Sequence, residues 1–267
     1  MALRLAPRPG NRDRSDDDPD ASGLSGKSLL TFLDEFRKRI LYCAIAIAVG
    51  VIVTFAFINR IFEFVFRPIR SVLPPGSKMI YTQPGEAFSI FVQIALMAGI
   101  VVAAPFVMYQ VWRLIAPALY LKQKKLVVPF VLMTTAGFVA GALFNHYIVF
   151  RWMMVFFSSF NSPGLTFMPR LDDVFGLYTK MLFGMAIIFQ MPTLVYFLAK
   201  MGLVTARFLL GHLKYAIFII FIVAAVVTPT GDMTTQTLFA LPMVGLYLIS
   251  IVIAWMVGPV ARPASDR

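Results

Sequence analysis

Few side chains in this sequence could do chemistry, and the deepest is Gln190. It sits in the stretch Ile187–Ile188–Phe189–Gln190–Met191–Pro192. An amide in apolar surroundings must find partners. It can bond helix to helix, satisfy a carbonyl that Pro192 frees, or face a ligand. Gln93, Gln110 and Asn145 lie nearer the ends of apolar stretches, where they can reach water. His146 and His212 sit at such ends too, and lone histidines there are expected to be solvated. There is no His cluster, no Cys pair and no HExxH, so no metal site is indicated. The single Cys43 lies in an apolar stretch and reads as a packing residue. No Gly-rich phosphate loop and no Ser-His-Asp arrangement is present. An intramembrane enzyme would need such a set. No catalysis and no cofactor are expected.

The elements that must position these residues are apolar spans. They run approximately Leu41–Ile58, Ala87–Trp112, Leu126–Phe150, Met181–Ala199, Tyr215–Thr228 and Thr235–Val257, without Asp, Glu, Lys or Arg. A helix of about 20 apolar residues matches the hydrocarbon thickness of a bilayer. In lipid the backbone must bond to itself, so such runs are helices. Only 14% of the chain is charged, against 59% hydrophobic. Soluble domains carry about 25% charged residues. The expected fold is therefore an all-α polytopic membrane protein with six transmembrane helices. The last two are expected to be short. Tyr215–Thr228 would span only about 21 Å, against roughly 30 Å of hydrocarbon. Pro105, Pro192 and Pro242 are expected to bend the helices that hold them.

The net charge of +11 does not point to nucleic acid. The basic residues lie mainly at span ends, where they set topology. With the amino terminus in the cytoplasm, the inner segments hold about thirteen Lys and Arg and the outer ones about seven. Both termini are expected in the cytoplasm. The first outer loop resists the rule, since it carries Arg60, Arg67, Arg70 and Lys78. Residues 1–26 mix Arg and Asp with Pro, Gly and Ser and are expected to be a disordered tail. No apolar region follows them as in a signal peptide. Residues 27–258 form the membrane domain and 259–267 a short tail. Asn59–Leu73 has apolar residues near helical spacing and is expected to form an interfacial helix. In the second outer loop, Asp172 and Asp173 suit a helix amino terminus. Trp112, Trp152 and Trp255 stand where interfacial anchors are expected.

Several segments resemble one family, TatC, the multi-spanning receptor of the twin-arginine protein translocase. Tyr109–Pro129, YQVWRLIAPALYLKQKKLVVP, is similar to that family's first cytoplasmic loop. Phe32–Ile40, FLDEFRKRI, resembles its HLxELRxRL motif, and Thr82–Phe88, TQPGEAF, its outer-loop motif with Pro84 and Glu86. Gln190 matches the fourth-helix position that carries Glu or Gln before a hydrophobic residue and Pro. Thr228–Met243, TPTGDMTTQTLFALPM, matches the fifth-loop motif, with Asp232 and Gln236 four apart. The order is the family's, and the matches reach from about Leu29 to Val257.

The resemblance implies a receptor in the bacterial inner membrane that binds twin-arginine signal peptides at its cytoplasmic face. It implies assembly with the single-span subunits TatA and TatB and with other TatC copies. The complex would export folded proteins using the proton-motive force. Paired guanidinium groups call for carboxylates at the membrane surface. Glu35, beside Arg37, matches the family's carboxylate. On its own, Glu35 also reads as a solvated charge or a partner for Lys38 or Arg39. Leu114 and Gln123 occupy the loop half of the implied site, where Phe and Glu are usual, and Phe32 replaces the family's His. The loop half is thus one charge poorer. Gln190, Asp232 and Gln236 are implied contacts within the membrane or with partner subunits. A secondary transporter or channel is the alternative, but it would place ionisable groups within the spans. A structural assembly subunit is another.

Overall fold

The computed structural model describes residues 20–73, 79–119, 127–160, 162, 167–228 and 232–257. Gln123, residues 1–19 and the expected tail 259–267 lie outside them. The described residues are nearly all helical.

The first helix, α1 (Asp20–Ala56), takes in Asp20–Gly26, which had been expected to be disordered. Once the apolar stretch behind it has nucleated a helix, each added residue costs little. Next come α2 (Ile58–Arg70) and α3 (Glu86–Leu119). Then α4 (Val127–Phe144) runs through a π-helical turn, Asn145–Val149, into α5 (Phe150–Ser158). The helices α6 (Leu171–Ile188) and α7 (Met191–Lys200) are separated by a turn at Phe189–Gln190. Pro192 does not kink a continuous helix. It stands in the first turn of α7, where its missing N–H leaves no bond unmade. The chain ends with α8 (Ala206–Gly211), α9 (Leu213–Val227) and α10 (Met233–Val257).

Five helical stretches are long and apolar enough to cross a membrane: Leu33–Ala56, Glu86–Arg113, Val128–Ser158, Leu171–Lys200 and Met233–Val257. The sixth, α9, has 15 residues, about 22 Å. Of the two helices expected to be short, only α9 is. The 25 residues of α10 continue past Pro242 without a break. The bundle has two ends. The proximal end holds the start of α1, the end of α3, the start of α4 and the end of α7. The distal end holds α2, α5 and the starts of α3 and α6.

Helix pairs approach closely where glycines remove side chains. A Cβ on Gly50 would stand 2.6 Å from the Gly99 carbonyl oxygen, and one on Gly99 2.7 Å from Val51 N. Close by, Thr54 Oγ1 donates to the Ala95 carbonyl at 2.9 Å. These contacts fix α1 antiparallel to α3. Gly137 and Gly141 do the same for α4. A Cβ at Gly141 would meet the Met185 carbonyl oxygen of α6 at 2.7 Å. Such small-residue contacts suit helices that lack a hydrophobic driving force between them.

One of the two expectations for the outer loops changes. The face of α2 bearing Val65, Phe66 and Ile69 is at most 2% exposed and packs into the protein core. Phe66 lies 6.4 Å from the Phe175 ring, and Phe62 lies 5.2 Å from Phe91. The helix therefore rests on protein rather than on lipid alone. In the second loop Asp172 and Asp173 do open a helix, as their types suggest, but that helix is α6, which continues unbroken into the span. Tyr178, Phe150, Met181, Met185 and Phe239 fill the core.

Candidate functional site

At the proximal end Glu35 lies on α1 with its side chain about half exposed, and Arg37 and Lys38 beside it are exposed. One helical turn further, Arg39 is buried and its guanidinium binds the Glu35 carboxylate. Arg39 Nε has no hydrogen-bond partner. Continued toward this end, the register set by Gly50–Gly99 and Thr54–Ala95 brings Arg39 level with Gln110 of α3. Gln110 is also buried, although it had been expected to reach water. Leu114 lies near the end of α3, the helix that packs antiparallel to α1.

Trp112 does not serve as a lipid-facing anchor. Its ring stacks on Phe130 at 3.6 Å and lies 5.8 Å from Phe197, and it is buried among them. This cluster ties together the proximal ends of α3, α4 and α7. Aromatic pairs of this kind add about 0.5–1.5 kcal/mol beyond their buried area. Trp112 therefore fixes the base from which the 120–126 connection departs. Trp152 and Trp255 remain exposed, as interfacial anchors would be.

Within the bundle, Gln190 Nε2 donates to the Thr134 carbonyl at 3.1 Å and to the Ala186 carbonyl at 3.3 Å. It thus joins α4 to the α6–α7 turn, while its buried Oε1 accepts nothing. Asp232 caps α10. Its Oδ2 accepts from Thr235 N at 2.8 Å and its Oδ1 from Thr235 Oγ1 at 2.6 Å. Gln236 Nε2 donates to the Phe221 carbonyl of α9 at 2.8 Å. The two residues of the fifth-loop motif therefore start one helix and fasten it to its short neighbour.

At the distal end Pro84 is exposed in the turn before α3, and Glu86 behind it is buried. Glu86 Oε2 accepts from Thr82 N at 2.9 Å and from Gln83 N at 3.3 Å. Its Oε1 accepts from Asp172 N at 3.3 Å, and Arg170 stands 3.7 Å from the carboxylate. Ile80 and Arg170 form a parallel bridge beside it. Glu86 thus joins the two outer loops. Arg170 carried no sequence signal beyond lying next to an acidic pair.

Two histidine and asparagine expectations are corrected. His146 and Asn145 are 1% and 0% exposed, because the π-helical turn rolls them into the protein. His146 stacks on Phe64 at 4.0 Å, and its Nδ1 lies 3.1 Å from Tyr178 Oη. Among the described residues no group of three His, Cys, Asp or Glu side chains could hold a metal.

A family model described as "Sec-independent protein translocase protein (TatC)" matches residues 31–242. The TatC protein of Koribacter versatilis is 38% identical over 245 residues, which cover 90% of this chain and 89% of that one. A Helicobacter pylori TatC is 37% identical over 88% of this chain and 92% of its own length. The crystal structure of the twin-arginine translocase receptor TatC superposes with a TM-score of 0.74 at 33% identity. It covers 84% of this chain and 97% of that one. The same receptor in the detergent DDM gives 0.76. With its apolar helices, its motif order and this superposition in agreement, the chain belongs to the TatC family of multi-pass membrane proteins, a translocase component.

Proposed function

We propose that this chain receives twin-arginine signal peptides at its proximal end and nucleates a complex that exports folded proteins. The observation that supports the reading is the half-exposed Glu35 carboxylate on α1, which packs antiparallel to α3, the helix that holds Leu114 near its end. Both helices reach the proximal end of the bundle. A half-exposed carboxylate there can accept a guanidinium bidentately. Gln123 follows α3 in the sequence. Arg37 and Lys38 leave the surroundings basic, so a single carboxylate must select its ligand by geometry as well as charge.

In this reading the proximal end faces the cytoplasm of a bacterial inner membrane, with both termini inside. Single-span TatA and TatB subunits and further TatC copies complete the assembly, and the proton-motive force drives transport. The chain is a binding subunit, not an enzyme. Gln190 serves within the membrane, where its amide nitrogen joins α4 to the α6–α7 turn and its buried oxygen is left without a partner. The short α9 thins the apolar belt beside α10, which suits a machine that must deform a bilayer.

Photo-crosslinking tests the reading. A photoreactive residue at position 35 or 123 is expected to capture a twin-arginine signal peptide and to lose it when both peptide arginines become lysine. Equal capture of the two peptides would overturn it.

A further inference from the structure

The positive-inside rule does not explain α2. Arg60, Arg67 and Arg70 recur at helical spacing on one exposed face, with Glu63 the only acid among them. None of the three arginines makes an ion pair among the described residues. Arg67 and Arg70 occupy the last turn, where they answer the carbonyl end of the helix. That accounts for charge at this position but not for what lies beside it. Next to Arg70 a cavity of about 470 Å³ opens among Phe62, Met79, Tyr81, Phe91 and Leu171. The Arg70 guanidinium hangs over the Phe62 ring, 5.9 Å from its centroid.

The position of this cavity in the fold matters. Phe91 is in the second turn of α3, and Leu171 is the first residue of α6. Both helices cross the apolar belt, so the cavity straddles the level where hydrocarbon gives way to headgroups. Arg70 is the charged side chain that lines it, and the rest of the lining is aromatic and aliphatic. A ligand complementary to both must carry an anion and an apolar tail joined at that level. A water-soluble anion would leave the apolar part empty, and a zwitterionic lipid would match the arginines less well.

We propose that Arg70 and this cavity form a binding site for an anionic phospholipid, with Arg67, one turn earlier on α2 and outside the cavity lining, adding to the positive field. The phosphate lies against the Arg70 guanidinium, and an acyl chain lies along the aromatic and aliphatic lining formed by Phe62, Tyr81, Phe91 and Leu171. Arginine is suited to the task, because its planar fork bonds phosphate oxygens bidentately. The bound lipid would brace α2 against the start of α3. The proposal does not depend on which side of the membrane the distal end faces.

The test uses the full-length protein reconstituted in phosphatidylethanolamine vesicles. These contain a trace of phosphatidylglycerol with a photoactivatable acyl chain, and labelled peptides are mapped by mass spectrometry. Labelling is expected in the segments around Phe62 and Phe91. It should fall about fivefold with Arg70→Gln and further with Arg67→Gln added, since each basic side chain contributes roughly 1 kcal/mol to anionic-lipid attraction. Arg70→Lys should keep most of it. Phe91→Trp, which fills the cavity and leaves the charges, should abolish labelling of the cavity. Excess inorganic phosphate should displace nothing. Equal labelling by a phosphatidylethanolamine probe would overturn the proposal. So would undiminished labelling in the double arginine variant, or displacement by phosphate or by an acidic peptide.

Discussion

The main-chain amide of Asp172 donates to Glu86 Oε1 at 3.3 Å, across 86 residues of sequence. One carboxylate at the start of α3 thereby holds the start of α6. Arg170 and the Ile80–Arg170 bridge close the same contact. Glu86→Ala removes every one of these acceptors, whereas Glu86→Gln keeps a carbonyl oxygen and loses the charge. Amide hydrogen exchange at Thr82, Gln83 and Asp172 is expected to rise in both variants, more in Ala than in Gln, with exchange in α10 unchanged. Unchanged exchange at Asp172 in the Ala variant would show that the loops are joined by other means.

Glu35 is bound by Arg39 in this structure, so an incoming arginine must compete for it. An exposed ion pair contributes about 0–1 kcal/mol. Glu35→Gln is therefore expected to weaken binding of a twin-arginine peptide by roughly fivefold. Arg39→Gln, which frees the carboxylate, is expected to strengthen it. Gln123→Glu should strengthen it as well, by adding charge to the loop half of the site. Peptide affinity measured at two salt concentrations checks all three. The Glu35 effect should shrink at high salt.

Gln190→Leu separates structure from transport. The substitution removes two hydrogen bonds but also a buried oxygen without a partner. Replacing a half-satisfied polar group by an apolar one of similar size costs little. Stability should change by less than about 1 kcal/mol, with normal insertion, while transport falls. Export at the wild-type rate would show that Gln190 only fastens α4 to the α6–α7 turn.

The Gly50–Gly99 contact leaves no room for a methyl group: a Cβ on Gly99 would stand 2.6 Å from Val51 Cγ2 and 2.7 Å from Val51 N. Gly99→Ala should push α1 away from α3 and cost about 1–3 kcal/mol. Gly176→Ala, where a Cβ would meet nothing within 4 Å, serves as the control. Denaturation midpoints in detergent check both. Because the displaced helix carries Glu35, Gly99→Ala should also weaken peptide binding.

Orientation is checked with single cysteines in a Cys43→Ala background. In intact cells an impermeant maleimide is expected to label positions 77 and 162 and to spare 123. The reverse pattern would place the proximal end outside.

The sequence by itself determined the architecture. Uncharged runs of this length have no alternative to helix inside a bilayer, since the backbone must bond to itself. The family motifs also stand in order along one chain, and so the membership was legible before any coordinates. Tertiary structure decided what each polar side chain does. Asn145 and His146 were expected near water, but a π-helical turn buries both. Trp112 was expected at a lipid interface, but Phe130 and Phe197 cover it. The face of α2 was expected on lipid, yet the core receives it. Glu86 gave no sign of its bond to Asp172, nor Arg39 of its burial. Hydropathy records how well a segment dissolves in the bilayer. Which face meets lipid and which meets protein depends on helix rotation and register. Those are set by contacts such as Gly50–Gly99 between segments far apart in sequence.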